Sequence, residues 1–456
     1  MVKDRTFYRQ FFSMAVILML QNMVTISVNL ADNLMLGAYS ESALAGAAAV
    51  NQIQFVYQQV LMAIGEGIVV LGGQYFGRKQ LLPVKRITSF AMRFALVCGL
   101  ILFLGTTFFP GPLLHFFTDD AAITEQGVRY LSIIRFTYLF FAVTQILLAA
   151  MRCVGIVRIA LLLSVQSLAV NCVINYILIY GKFGAPEMGI AGAAVGTLIA
   201  RAAETAVCVI FFVRKNDRLR MSLSDFGKTD RQLIQDYFRV TTPMLIVNFL
   251  WGFNNAVQNA ILGHMDDHAI AANSVASTLF LIVKSMAIGA ASTAAYFTAK
   301  TVGEGKEEKA RQYARTMQIL FVGIGLFAGL VLFLIKGPVL SLYQLDAGTR
   351  DLADHFLGVL CVIVMTMSYQ MPVNAGIIKG GGDTRYCMIV DLISIWGIVI
   401  PISWAMAFLV KAPATAVIWC LNADQIFKCL PAFIKVNYGH WMKKLTRQVP
   451  QETVRN

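Results

Sequence analysis

Asp32 lies near the end of a long apolar run, Phe11 to Leu36, whose interruptions are amides and hydroxyls. An ionisable group inside a membrane-crossing helix is costly to keep, and is by default a functional hypothesis. Low dielectric penalises the ionised form of a carboxyl, so Asp32 is suited to exchange a proton or to ligate a small cation. A structural ion pair, or an acid at a helix end near the interface, is the alternative reading. Asn22, Thr25, Asn29, Asp32 and Asn33 are spaced so that most share one helical face. The same pattern recurs in Asn51, Gln54, Gln58 and Glu66, and in Asn248, Asn255 and Asn259 flanked by Asn254 and Gln258. Any single amide could serve interhelical hydrogen bonding, worth about 0.6 kcal/mol per contact. Three such faces together point to a wet cavity.

The remaining chemistry-bearing residues are more ambiguous. Glu66 is a weaker version of Asp32. Arg201 and Glu204 are three apart and can pair on one face. Lys284 and Arg135 have no partner evident in sequence, Asp391 is expected to brace a loop, and Asp424 has Lys428 four residues on. Lys379-Gly380-Gly381-Gly382-Asp383-Thr384 lacks the Gly-Lys-Ser/Thr that opens a helix after a strand, and reads as a tight turn, not a phosphate cradle. No HExxH or GxSxG occurs, so an intramembrane enzyme is not expected. The eight cysteines form no CxxC pair and no zinc-like set with histidine.

The elements that position these residues follow from composition. Of 456 residues, 57% are hydrophobic and 14% charged, against roughly 25% charged in a soluble domain, and the mean hydropathy is +0.66. A membrane helix needs about 20 mostly apolar residues. Cutting at polar breaks predicts an all-α, polytopic membrane protein with twelve helices, near 11–36, 44–73, 90–110, 128–151, 158–181, 189–213, 239–263, 269–299, 314–336, 354–378, 386–410 and 413–435. The first of these is read as a retained helix, not a cleaved signal. The net charge of +13 is spread over short loops, which argues against nucleic acid. Alternate connections hold twenty-eight Lys and Arg residues against five, so the positive-inside rule places both termini in the cytoplasm. The acidic connections, Thr118-Asp119-Asp120 and His264-Met265-Asp266-Asp267-His268, fall on the other side.

The chain also repeats. Asn33 to Gly37 ahead of Ala43-Leu44-Ala45 compares with Asn259 to Gly263 ahead of Ala269-Ile270-Ala271, an offset of 226, and Ala150-Met151-Arg152 compares with Ile377-Ile378-Lys379 at 227. Two six-helix bundles are expected, 1–225 and 226–456, related by an axis along the membrane normal, with a cavity between them.

Asp32 to Gly37, Gln74-Tyr75-Phe76-Gly77-Arg78, Met151-Arg152, Asn171 to Tyr176, Phe183-Gly184-Ala185-Pro186, Gly192-Ala193-Ala194, Pro243 to Trp251, and Gly376 to Thr384 followed by Asp391 and Trp396 together resemble the MATE family of multidrug and toxic compound extrusion transporters. The resemblance covers essentially the whole chain. It implies a V-shaped twelve-helix exporter that exchanges H+ or Na+ for amphipathic, often cationic, compounds. It also implies that Asp32 works with Asn171 and Thr197 of helices 5 and 6. Asn175 stands where many members have a second aspartate, and Asn248, five residues after Pro243, where many have a glutamate. Helix 10 offers only Tyr369, Gln370 and Asn374, so no carboxylate cation site is expected in the second half. Helix 1 has no proline at which to bend.

The expected function is cation-coupled antiport by alternating access, with Asp32, Asn171, Asn175 and Thr197 as the ion-coupling cluster. Asn29, Asn51, Gln54, Tyr57, Gln58, Asn248, Trp251, Asn255 and Gln258 are the candidate cavity residues, the aromatics offering cation–π faces. No cofactor is expected, and no metal beyond a sodium ion at that cluster. Expected partners are small organic substrates, H+ or Na+, and the bilayer of the cell membrane, with the chain acting as a monomer. The alternative is a flippase for a lipid-linked or amphipathic precursor, whose cavity would carry more arginine and lysine for phosphate. Amides and acids in helices 1, 2 and 7 favour neutral or cationic cargo.

Overall fold

The computed structural model describes residues 2–115, 120–215, 218, 219, 221, 225, 227, 230–263, 265, 267–341 and 347–447. Thr118, Asp119, His264 and Asp266 of the acidic connections lie outside the described residues. Among the described residues every regular element is helical. The first half contains α1 (Arg5–Tyr39), α2 (Glu41–Gly77), α3 (Leu81–Phe108), α4, α5 (Arg158–Tyr180) and α6 (Ile190–Lys215). α4 consists of two segments, Ala121–Ile134 and Thr137–Cys153, bent by 55°. The second half contains α7 (Arg231–Gly263), α8 (Asp267–Gly303), α9 (Glu307–Leu340), α10 (Gly348–Ile378), α11 (Thr384–Phe408) and α12 (Ala414–Tyr438). The helix starts recur at the sequence offset: Arg5 with Arg231, Glu41 with Asp267, Leu81 with Glu307 and Arg158 with Thr384.

Ten of these helices are long and apolar enough to cross a membrane, and bent α4 makes eleven. The twelfth, α7, has 33 residues and is about 50 Å long at 1.5 Å per residue. Its length suffices, but Asn248, Asn254, Asn255, Gln258 and Asn259 interrupt its apolar character. The helices are longer than the apolar runs alone predict, because local signals outside the bilayer start them. Asp4 caps α1 by accepting from Thr6 N at 2.8 Å, six residues ahead of the expected start, and Asp120 caps α4 through Ala122 and Ile123. Gly181, at φ 63°, ends α5. Outward faces remain apolar and exposed, as with Ile101, Leu104, Leu326, Phe327, Leu330 and Phe333.

Each half has its own core: one built on Val50, Leu61, Ile87, Leu131, Ile146 and Leu163, the other on Leu279, Leu332, Phe356, Leu360 and Ile418. The halves join at the end rich in Lys and Arg. There α1 crosses into the second half. Phe7 stacks on Tyr313 at 4.4 Å and meets Phe297 at 5.3 Å, while Gly289 of α8 lies so close that a side chain there would meet the Ala15 carbonyl at 2.7 Å. The repeat-related crossing puts α7 on α2, where Tyr237 and Thr241 close over Gly67 and Met244 packs with Ala63 and Val70. Farther along, a Cβ on Gly73 of α2 would lie 2.9 Å from Ala299 of α8. Glu66 of α2 pairs with Lys379 at the end of α10, Nζ to Oε2 3.0 Å, which gives this acid a partner the sequence did not disclose. At the opposite end Gly37 packs on Leu44 and Gly46 on Gly127, each approach lying within the first half.

Residues 439–447 run as a strap across the basic end. Trp441 is buried over Gly381, and Met442 bridges to Gly382, which sits at φ 102°. Lys443 and Lys435 reach Asp383 at 2.7 and 2.9 Å, so the glycine-rich segment is indeed a turn, with Asp383 also accepting from Tyr386 N at the start of α11. Burial alone would raise the Asp383 carboxyl, but the two lysines pull it below its ordinary value. Beyond the turn the strap reaches the first half. The side chain of Gln74, fully buried, donates to Lys443 O at 3.0 Å and accepts from Leu445 N at 2.9 Å. Arg447 closes the strap on Asp236 at 2.7 Å.

Candidate functional site

α5 places Asn171 and Asn175 one turn apart on a single buried face, and α6 presents Thr197 to it. Asn175 Nδ2 donates to Asp32 Oδ1 of α1 at 2.6 Å and to Asn171 Oδ1 at 3.3 Å, and Asn171 Nδ2 donates to Thr197 Oγ1 at 3.2 Å. The four residues expected to act together therefore meet in one chain of hydrogen bonds across three helices. Gly196 of α6 makes room for it, since a Cβ there would occupy the place of Asn175 Oδ1. That oxygen is buried and has no donor among the described residues, an expense that native interiors rarely carry without a reason.

Two further residues complete the cluster. Buried Tyr130 of α4 stands beside Thr197 and Asp32. Arg201 of α6 is the cation whose charge reaches Asp32; it pairs with Glu204 at 2.8 Å and lies 4.7 Å from the Phe141 ring. The pairing with Glu204 was visible in the spacing. The link to Asp32 could have been found as well, because Arg201 follows Thr197 by four residues and so shares its face. Nothing in the sequence pointed to Tyr130.

Chemically, the arrangement suits two states of one acid. Ionised Asp32 accepts from the Asn175 amide. Protonated Asp32 becomes a donor, and Asn175 Oδ1 is an unfilled acceptor on that same amide. Asp32 with the amide oxygens of Asn171 and Asn175 and the Thr197 hydroxyl also forms a hard, all-oxygen set of the type that suits a small cation. The described residues gather no cluster of three His, Cys, Asp or Glu side chains.

The candidate cavity residues divide. Asn29 is exposed, and Asn51, Gln54 and Gln58 are partly exposed with no hydrogen-bond partner among the described residues, as befits groups left to water. Trp251 is partly exposed, 5.8 Å from Phe55 of α2. Asn255 turns back to Trp251 O of its own helix at 3.5 Å, and Gln258 reaches toward Leu421 O of α12 at 3.4 Å. Tyr57 is a correction. It is buried in the first-half core and donates to Tyr138 O at 3.1 Å, because the face of α2 that carries it turns toward α3 and α4.

The other ionisable groups resolve into partners. Asp391 does not brace a loop. It accepts from Lys428 at 2.8 Å, and Lys428 also holds Asp424 at 2.9 Å. Gln425 donates to Asp424 at 2.8 Å and accepts from Gln370 at 2.6 Å, and Asn374 continues the network at 3.0 Å. The second half thus does hold carboxylates, but a lysine is already bound between them. Arg135 occupies the bend of α4, 5.4 Å from the Phe136 ring and 5.8 Å from Phe103. Lys284 of α8 lies 4.7 Å from the Trp251 ring.

Comparison with known proteins agrees in fold and in sequence. The MatE family model matches residues 18–177 and 243–405. A probable multidrug resistance protein NorM of Thermotoga maritima is 24% identical over 448 residues, covering 97% of this chain and 96% of its own length. The protein of the same name from Streptococcus pneumoniae is 26% identical over 390 residues, 83% of each chain. Among solved structures, an outward-facing multidrug resistance MATE family transporter superposes with a TM-score of 0.85 at 16% identity, covering 94% of each chain. The bent form of the Vibrio cholerae MATE transporter VcmN gives 0.83 at 15% identity, covering 94% of this chain and 95% of its own.

Proposed function

The chain belongs to the MatE family, and on that premise we propose that it is a membrane-embedded multidrug efflux transporter, not an enzyme, which drives export of amphipathic organic compounds by cation antiport at Asp32. The supporting observation is the hydrogen-bond chain from Asp32 through Asn175 and Asn171 to Thr197, with an orphan acceptor on Asn175. Neutralising Asp32 changes which amide atom it needs, and so shifts the balance between two packings of α1 against α5 and α6. The unfilled acceptor on Asn175, which a protonated Asp32 fills by donation, supports H+ as the coupling ion; the same oxygen, free to ligate, supports Na+ as the second reading. In this proposal residues 1–225 and 226–456 move as two lobes in the cell membrane, both termini lie in the cytoplasm, the closed basic end faces inward, and one chain suffices for transport.

The test is efflux of a cationic dye from proteoliposomes, driven separately by a pH gradient and by a Na+ gradient. Asp32→Asn is expected to abolish gradient-driven efflux while leaving the protein folded. Normal rates in Asp32→Asn would remove the acid from the coupling role, and the gradient that drives the wild type names the ion.

A further inference from the structure

The strap is attached to the two halves through different atoms of a few consecutive residues. Lys443 N donates to Gly381 O at 2.8 Å, whereas Lys443 O accepts from the Gln74 side chain at 3.0 Å. One residue therefore holds the α10–α11 turn with its nitrogen and α2 with its oxygen. Just before it the strap is seated on the second half: Trp441 lies buried over Gly381 and donates Nε1 to Val436 O at 2.9 Å, and Met442 pairs with Gly382. Just after it the partners change. Lys444 meets Glu307 of α9 at 3.1 Å only as an exposed pair, which contributes little. Leu445 N donates to Gln74 Oε1 at 2.9 Å, its side chain packs against the first-half core, and Arg447 N donates to the Tyr75 hydroxyl at 3.2 Å. The Arg447 guanidinium holds Asp236, whose neighbour Tyr237 donates to Ile64 O of α2 at 2.7 Å. The two attachments are unequal in strength: one is continuous with α12 and buries an indole, while the other is a short set of hydrogen bonds and an ion pair whose arginine is 49% exposed. The two residues from 443 to 445 span at most about 7 Å, so the strap cannot stretch across halves that move apart.

We propose that residues 443–447 are a releasable latch on the basic end: they stay with the second half and let go of Gln74, Tyr75 and Asp236 each time that end opens. This rests on the two-lobe efflux reading above and adds a moving part to it. On release the Gln74 side chain exchanges its two strap bonds for bonds to water, so the net cost of opening is small and the latch is reversible. Closure remakes both bonds together, since one amide serves residues 443 and 445 at once.

Two cysteine pairs, each introduced after the native cysteines are replaced, test the latch. Gln74→Cys with Leu445→Cys, bridged by a short bifunctional thiosulfonate, ties the strap to the first half. Asp383→Cys with Lys443→Cys, bridged in the same way, ties it to the second. In proteoliposomes the 74–445 bridge is expected to cut dye efflux by more than about tenfold, because it forbids the open state, and reductant should restore it. The 383–443 bridge should leave efflux at its unbridged rate. Undiminished efflux with the 74–445 bridge formed, or an equal loss with the 383–443 bridge, overturns the latch. If the unbridged protein exports nothing, the transport reading falls, and hydrogen exchange in the purified protein decides the latch. Glu66→Gln, which removes a second tie between the halves, should then speed exchange of the Leu445 and Arg447 amides several-fold and leave that of Lys443 unchanged. No change at Leu445 and Arg447, or an equal rise at all three, overturns the proposal.

Discussion

Removing the charge of Glu66 should loosen the basic end. The Glu66–Lys379 pair spans the two halves at 3.0 Å, with side chains 25% and 12% exposed. At an effective dielectric of about 20 the direct attraction is about 5 kcal/mol. Desolvation of both ions offsets part of that, and a glutamine at 66 keeps a weaker hydrogen bond. A net loss of about 2 kcal/mol remains, enough to shift the balance between closed and open basic ends by about thirtyfold. Spin labels at Arg158, where α5 starts, and at Glu308, in the first turn of α9, both exposed, report the separation of the halves once the native cysteines are replaced. Glu66→Gln is expected to add a longer-distance population that the wild type lacks. Lys379→Gln should do the same, and the double variant should go little further, since both singles remove one interaction. Identical distance distributions in all four proteins, or additive shifts, would refute the reasoning.

Two other outcomes follow from the described contacts. Asp383→Asn should free the strap, since it removes both lysine partners, and limited proteolysis after residue 438 should then accelerate several-fold. Because Lys443 and Lys435 hold the Asp383 carboxyl below its ordinary value, its contribution is complete above that value and is lost only as pH falls through the lower folded one. Wild-type cleavage should accordingly be flat from about pH 8 to pH 5, and a rise within that window would contradict the assignment. Tyr57→Phe should cost about 1 kcal/mol of thermal stability through loss of its bond to Tyr138 O without altering the ranking of exported dyes. A changed ranking would return Tyr57 to the cavity.

Periodicity and charge counting were enough to reveal the helices, because a membrane helix must satisfy its own backbone and announce itself as an apolar run. The offset between Asn33–Gly37 and Asn259–Gly263 carried through to the helix starts for the same reason. The companions of Asp32 were legible through family likeness, not through spacing, since Asn171 and Thr197 lie on other helices. Tyr57 was misjudged because a tyrosine among amides looks polar, whereas α2 turns that face inward. Glu66 with Lys379, Lys284 with Trp251, and Gln74 with Lys443 and Leu445 were hidden for one physical cause: each joins residues from separate helices or loops. No local pattern encodes such a pairing.

The strap also bears on how the molecule is made. Gln74 belongs to the second helix to leave the ribosome, yet both ends of its buried amide are satisfied by residues 443 and 445. During synthesis that amide waits, wetted, while a further 369 residues are added. The basic end of the first half therefore cannot reach its final packing until residues 443 and 445 are in place. In a transporter built this way, the second helix takes its last contacts from a segment that follows all the others described.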